Sequence, residues 1–300
     1  MTRSRRLVLA LLIDLFLVAA EATGGVLAHS TGLMATAGHD LADGAALGLA
    51  LLATRLALRP PTAARSFGMH RAAILAALAN ATAIVVVGLG VVALAAWRLA
   101  EPAHVHGVLV VVFACAGLVG NGAVALVLRE QSRDLNLRAV ALHFTGDAAA
   151  ALGVIVAGTV IIVAGRFEAI DPVVALLITL LIGAKAWRLV RASLEVLLEG
   201  TPADLDVAAL AAAISDTDGV TAVHDLHCWS LSSEVRALSA HVVLDGHPSL
   251  EQAQVVGERV KASVSKRFNV AHTTLEMECE PCAEDVAEAC AVDPVFHAVN

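Results

Sequence analysis

Six apolar runs dominate the first 190 residues, at 7–28, 33–56, 72–99, 105–128, 139–163 and 173–190. A helix crosses the hydrocarbon core of a bilayer with about 17–25 residues, so each run is long enough to span. The last is the shortest and carries Lys185 near one end, where its stem can reach the interface. Composition agrees: 58% of the residues are apolar, 16% are charged, and the mean hydropathy is +0.77. Soluble domains are nearer a quarter charged. The first run is too long for a cleavable signal peptide and has no small-residue cleavage site after it. The expected fold is an α-helical membrane bundle of six transmembrane helices.

Charge sets the direction of the chain. Arg3, Arg5 and Arg6 precede the first run, and Arg55, Arg59, Arg65 and Arg71 lie between the second and third. Arg129, Arg133 and Arg138 lie between the fourth and fifth, and Lys185, Arg188 and Arg191 close the sixth. Only Arg98 and Arg166 fall on the other side. By the positive-inside rule both termini are expected in the cytoplasm.

After "LLEGTPADLD" the chain changes character: residues 201–300 hold 16 acidic and 5 basic residues. The expected division is a transport domain at 1–200 and a cytoplasmic domain at 201–300. So acidic a tail excludes nucleic acid as a partner and suits cations. The five cysteines are odd in number and four lie in the tail. In the cytoplasm they are expected as thiols or metal ligands rather than disulfides.

The tail reads as αββαβ, a ferredoxin-like order. A helix is expected at 203–214, with Thr201 as N-cap and Pro202 at its first position. Strands are expected at 221–231 and 235–244, then a helix whose inner face is Leu250, Ala253, Gly257, Val260, Val264 and Phe268, and a last strand at 271–278. Strict alternation puts His224 on one face with Leu226 and Cys228, and His227 on the other with Trp229. His241, His272, Glu276 and Glu278 face away from the apolar side of their strands, so a polar face bearing His224, His241 and Glu278 is allowed. "CEPC" at 279–282 is either a redox pair or half a zinc site.

The membrane runs contain "AGHDLADG" and "ALHFTGDA". His39 and Asp43, and again His143 and Asp147, are four residues apart and so stack on one helix face. The two runs cross in opposite directions, and both pairs fall in the middle third of the bilayer. A carboxylate there costs at least about 2.5–3.5 kcal/mol. Two imidazoles and two carboxylates meeting at one point give tetrahedral N/O ligation of the kind zinc takes. Interhelical polar clamps are the plainer alternative. A buried metallohydrolase would need a general base and a motif such as HExxH, which the chain lacks. Asp40 is rotated about 100° from His39 and reads as a neighbour. Asp14 and Glu21 have no assigned role, and Asn80 and Asn121 read as interhelical hydrogen-bond formers.

With these residues in place the chain resembles the cation diffusion facilitators, divalent-metal/proton antiporters that export zinc and related ions. The likeness is carried by "AGHDLADGAALGLALLA", "FGMHRAAILAALANA", "LHFTGDAAAALGVI", "SLEVLLEGTP" and "VHDLHCWSLSSEVRALSAHVVLD". It implies an integral protein of the bacterial cell membrane that works as a homodimer. The implied transport site is His39, Asp43, His143 and Asp147, with protons as counter-ion and no enzymatic step. It also implies zinc bound in the tail by His224, His241 and Glu278, with His272, Cys279 and Cys282 as a further site. A non-transporting metal sensor, or export of cadmium, cobalt or manganese, is the alternative. Two positions and one connection depart from the family pattern: Thr36 and Ala73 stand where relatives often carry Asp and Glu, and "REQSRDLNLR" has no histidine.

Overall fold

The computed structural model describes residues 3–57, 59–129, 135–165, 167–232 and 235–280. Side chains at 3–11, 127–129 and 135–144, and at 46, 47, 50, 51, 54 and 57, lie outside that description. Each apolar run forms a helix: α1 (Arg3–Ala28), α2 (Thr31–Ala57), α3 (Ala72–Ala100), α4 (Gly107–Arg129), α5 (Leu135–Ala164) and α6 (Ile170–Leu197). Among the described residues, four helical segments are long and apolar enough to cross a membrane, namely Ala72–Ala100, Gly107–Leu126, Thr145–Ala164 and Ile170–Leu197. In α2 the polar residues His39, Asp40 and Asp43 interrupt the apolar run. Many large apolar side chains point outward, among them Phe16, Val119, Val163 and Leu181. Lipid is the solvent that suits such a surface, since soluble monomers rarely expose large apolar patches.

Two compact units divide the chain: residues 1–55 with 75–191, and residues 56–74 with 192–300. Within the helical unit, small residues let backbones approach closely, the usual device where lipid removes the hydrophobic drive between helices. A Cβ at Gly107 would come within 3.0 Å of the Gly158 carbonyl, so α4 and α5 meet backbone to backbone. On the α1–α4 side, a Cβ at Gly120 would press on Leu17 at 2.7 Å, and one at Gly117 would collide with the Glu21 carboxylate.

Asp171, in the first turn of α6, ties down the start of α2. Its carboxylate accepts from Ser30 Oγ at 2.5 Å and from both the amide and hydroxyl of Thr31 at 2.6 Å. All three residues are buried. The negative charge also sits at the N-terminus of α2, where the helix dipole favours it. Asp171→Ala would strand four buried donors, the Gly32 amide included, each costing about 1–3 kcal/mol. The expected result is a thermal midpoint lower by at least about 5 °C in detergent, with Asp171→Asn falling less because it keeps an acceptor. A midpoint unchanged in the alanine variant would show that the clamp is not structural.

In the second unit, α7 (Val207–Ser215), β1 (Val220–Ser230), β2 (Arg236–Leu244), α8 (Leu250–Phe268) and β3 (Val270–Glu278) follow in order. The sheet order is β1-β2-β3, with β1 antiparallel and β3 parallel to β2. Leu210, Ile214, Leu238, Val242, Val260, Val264 and Val270 form the core between helices and sheet. Residues 56–74 belong to this unit: Arg71 pairs with Glu199 at 2.8 Å, and Phe67 meets the His272 ring edge-on at 5.3 Å.

Two expectations about the helices of the tail need correction. The first helix starts at Val207, not 203, because Asp206 rather than Thr201 is its N-cap and accepts from the Ala209 amide at 3.0 Å. Leu250 does not join the inner face of α8. It is 83% exposed, and Val256 takes its place, one turn after the Ser249–Gln252 capping box.

Candidate metal centres

Within the helical unit, α2 carries His39 and Asp43 one turn apart, and α5 brings Asp147 opposite them. His39 Nε2 lies 3.3 Å from Asp43 Oδ2 and 3.3 Å from Asp147 Oδ1. The three donor atoms all fall within 4.8 Å of one another, close enough to share one ion. Asp147 is buried and the other two are partly buried. His143 lies on α5, one turn before Asp147, but its side chain is outside the described residues. The wall beside His39 is apolar and small, with Val87 and Gly88 from α3 and Ile182 and Gly183 from α6. Asp14, Glu21, Asp40, Asn80 and Asn121 are also buried in this unit.

In the tail, His224 and His241 are cross-strand partners on β1 and β2, and Glu278 ends β3 beside them. Glu278 bridges the two rings, with Oε2 at 2.8 Å from His224 Nε2 and Oε1 at 2.8 Å from His241 Nδ1. Ring centroids are 5.0 Å apart. These three donors, too, lie within 4.8 Å of one another. Two nitrogens and an oxygen suit zinc, which would displace the protons shared along those hydrogen bonds.

Strict alternation fails along β1. A bulge between His224 and His227 shifts the register, and Asp225 takes a left-handed φ of 47°. The extra residue reverses which side points inward. Leu226 and Cys228 go into the core while His224 and His227 share the polar face, contrary to the expectation that they divide between faces. Asp225, not singled out from the sequence, then joins the cluster: Oδ1 lies 2.9 Å from His227 Nε2 and Oδ2 lies 3.5 Å from His241 Nε2. Glu276 stands at 3.4 Å from the same nitrogen. The available signal was Asp inside "HDLH", since Asp is among the few side chains that tolerate a left-handed backbone.

Among the described residues, His272 and Cys279 belong to no such cluster. His272 packs on Phe67, Cys279 is exposed, and Cys282 lies outside the described residues. Cys228 is a core thiol: burial pushes its pKa up, against a smaller opposing effect of Arg236.

His241→Ala removes the imidazole between Glu278 and Asp225. In calorimetry on the full-length protein, the tail centre is expected to bind zinc at least about tenfold more weakly. Unchanged binding would exclude His241 as a ligand.

A partly buried His–Asp–Asp cluster in an apolar helical unit, followed by a sheet domain bearing His–His–Glu, fits a membrane protein that handles divalent metal ions. Residues 7–198 match the cation efflux transmembrane domain, and residues 202–280 match the cytoplasmic domain of cation efflux proteins. The chain belongs to the cation efflux family. It is 36% identical to the zinc transporter ZitB of Escherichia coli over 283 residues, 93% of this chain and 88% of the relative. It is 36% identical to the metal cation efflux system protein CzcD of Cupriavidus metallidurans over 298 residues, covering 98% and 92%. The cadmium, cobalt and zinc/H(+)-K(+) antiporter of Bacillus subtilis is 32% identical over 273 residues, covering 90% and 87%.

Proposed function

We propose that the protein exports divalent cations, zinc foremost, from the cytoplasm in exchange for protons. The observation that carries the reading is the convergence of His39, Asp43 and Asp147 within 4.8 Å inside an apolar helical unit. His143, one turn from Asp147, supplies the fourth ligand and makes the set tetrahedral His2Asp2. Six helices span the bilayer with both termini in the cytoplasm, as the arginine-rich connections favour. Residues 1–200 carry the transport path. Residues 201–300 form a ferredoxin-like metal-binding domain that holds two copies together. The names of the relatives, which include a zinc transporter and an antiporter, support both the cargo and the counter-ion.

The set of donors explains the preference. Imidazole suits zinc and its neighbours, whereas manganese prefers an all-oxygen site. Cadmium and cobalt fit the same ligands and are expected as weaker cargo. No reacting group beyond the ligands is needed, so no enzymatic step is assigned. The test is uptake by proteoliposomes holding the purified protein, run across a panel of zinc, cadmium, cobalt and manganese. Zinc flux above protein-free vesicles is expected, with manganese the slowest. Absence of flux with every ion would overturn the reading and favour a metal sensor.

A further inference from the structure

The connections opposite the arginine-rich side gather three histidines and a glutamate that the two centres above do not use. His29 lies between α1 and α2, His104 and His106 precede α4, and Glu168 precedes α6. They belong to one end of the helical unit. The His106 amide donates to the Ala28 carbonyl at 3.1 Å, which pins the loop before α4 against the end of α1. His104 Nδ1 lies 2.8 Å from Glu168 Oε1. The His104 and His106 ring centroids are 5.1 Å apart, and those of His106 and His29 are 6.2 Å apart. A groove beside them is lined by His104, His106 and Glu168.

We infer that His104 and His106, with His29 as a third donor, form a weak divalent-cation site at this end of the protein. The spacing is the first argument. Two imidazoles on one tetrahedral zinc, with Zn–N of about 2.0–2.1 Å, place their ring centroids roughly 5 Å apart. The His224–His241 pair of the tail centre has nearly the same separation, 5.0 Å. The Glu168 contact is the second. A carboxylate that accepts from His104 Nδ1–H fixes the tautomer whose Nε2 lone pair is free to ligate, the usual outer partner of a metal-bound histidine.

The same geometry makes the site loose. No three donors here meet the 4.8 Å spacing of the two centres above. The His29 ring must close by about 1 Å to join the pair. Side-chain exposure of His104 reaches 76%, so water competes for the ion. Arg98 lines the adjoining cavity with His29 and Glu168, and its charge opposes a tightly held cation. Weakness fits a place where an ion is handed to solvent. The site lies about 15 Å along α2 from His39, counting 1.5 Å per residue from the His29 end. Its role as an exit station rests on the export reading; its capacity to bind an ion does not.

The experiment reads binding without flux. Full-length Asp147→Ala protein, purified without a polyhistidine tag, is titrated with zinc by calorimetry. One weak equivalent per chain is expected beyond those of the tail, and His104→Ala with His106→Ala should weaken it at least tenfold. Glu168→Gln should weaken it several-fold, and His247→Ala, an exposed histidine elsewhere, should leave it unchanged. The tight tail equivalents, retained in every variant, report that the protein is folded. A weak equivalent that survives the double substitution, or no such equivalent in the parent, would overturn the assignment.

Discussion

Asp147→Ala is expected to reduce zinc flux in proteoliposomes by at least about 100-fold, because even outer partners of metal ligands cost 10–100-fold when lost. Asp147 contributes one of the two carboxylates around His39, from a different helix and from a buried position. With both carboxylates ionised, a bound zinc ion is neutralised. With one removed, the ion carries an uncompensated charge in a medium where water cannot screen it. Asp147→Asn keeps the size and an oxygen donor but loses the charge, so it separates shape from electrostatics. It is expected to be nearly as inactive as the alanine variant. Zinc binding by the tail, retained in both, is the control for folding. Flux within about twofold of the parent in either variant would remove the His39–Asp43–Asp147 cluster from the transport path.

Much of this was legible in the residues because it depends on short-range periodicity. Apolar runs of bilayer length became α1–α6, and the i, i+4 spacing placed His39 over Asp43. That His241 and Glu278 share a polar face follows from strand alternation on β2 and β3, where no register shift lies between the residues concerned. What the pattern did not give depends on local backbone choices or on contacts between distant segments. One residue, Asp225, in a left-handed conformation reversed the alternation of β1 and brought His227 to the polar face that bears His224, His241 and Glu278. Asp206 competed with Thr201 for the cap of α7, and propensity alone does not decide between two good caps. The clamp from Asp171 to Ser30 and Thr31 joins positions about 140 apart in sequence, which no periodicity reports.

Zinc export should move about two protons the other way for each ion, by charge balance. In the ion-free state the carboxylates of Asp43 and Asp147 face a low-dielectric interior, with His39 between them. A zinc ion brings +2 and satisfies both. When the ion leaves, the same charge has to be restored before the cluster can face the cytoplasm again, since two uncompensated carboxylates in that setting are prohibitively costly. Two protons restore it. Their location among His39, His143 and the two aspartates does not alter the count, because protons in so tight a cluster belong to the group rather than to one side chain. Ligation needs neutral imidazole and ionised carboxylate, so each arriving zinc ion must displace the protons it replaces. The two cargoes therefore compete for one site, which is what couples their movements. An inward proton gradient is then expected to drive zinc out. The measurement is zinc uptake by proteoliposomes with a pH dye in the lumen, under imposed gradients of either sign. Proton movement opposite to zinc at a ratio near two, with flux that speeds or slows as the gradient is reversed, is the expected result. Zinc movement with no proton counter-movement, or a rate indifferent to the gradient, would sink the coupling.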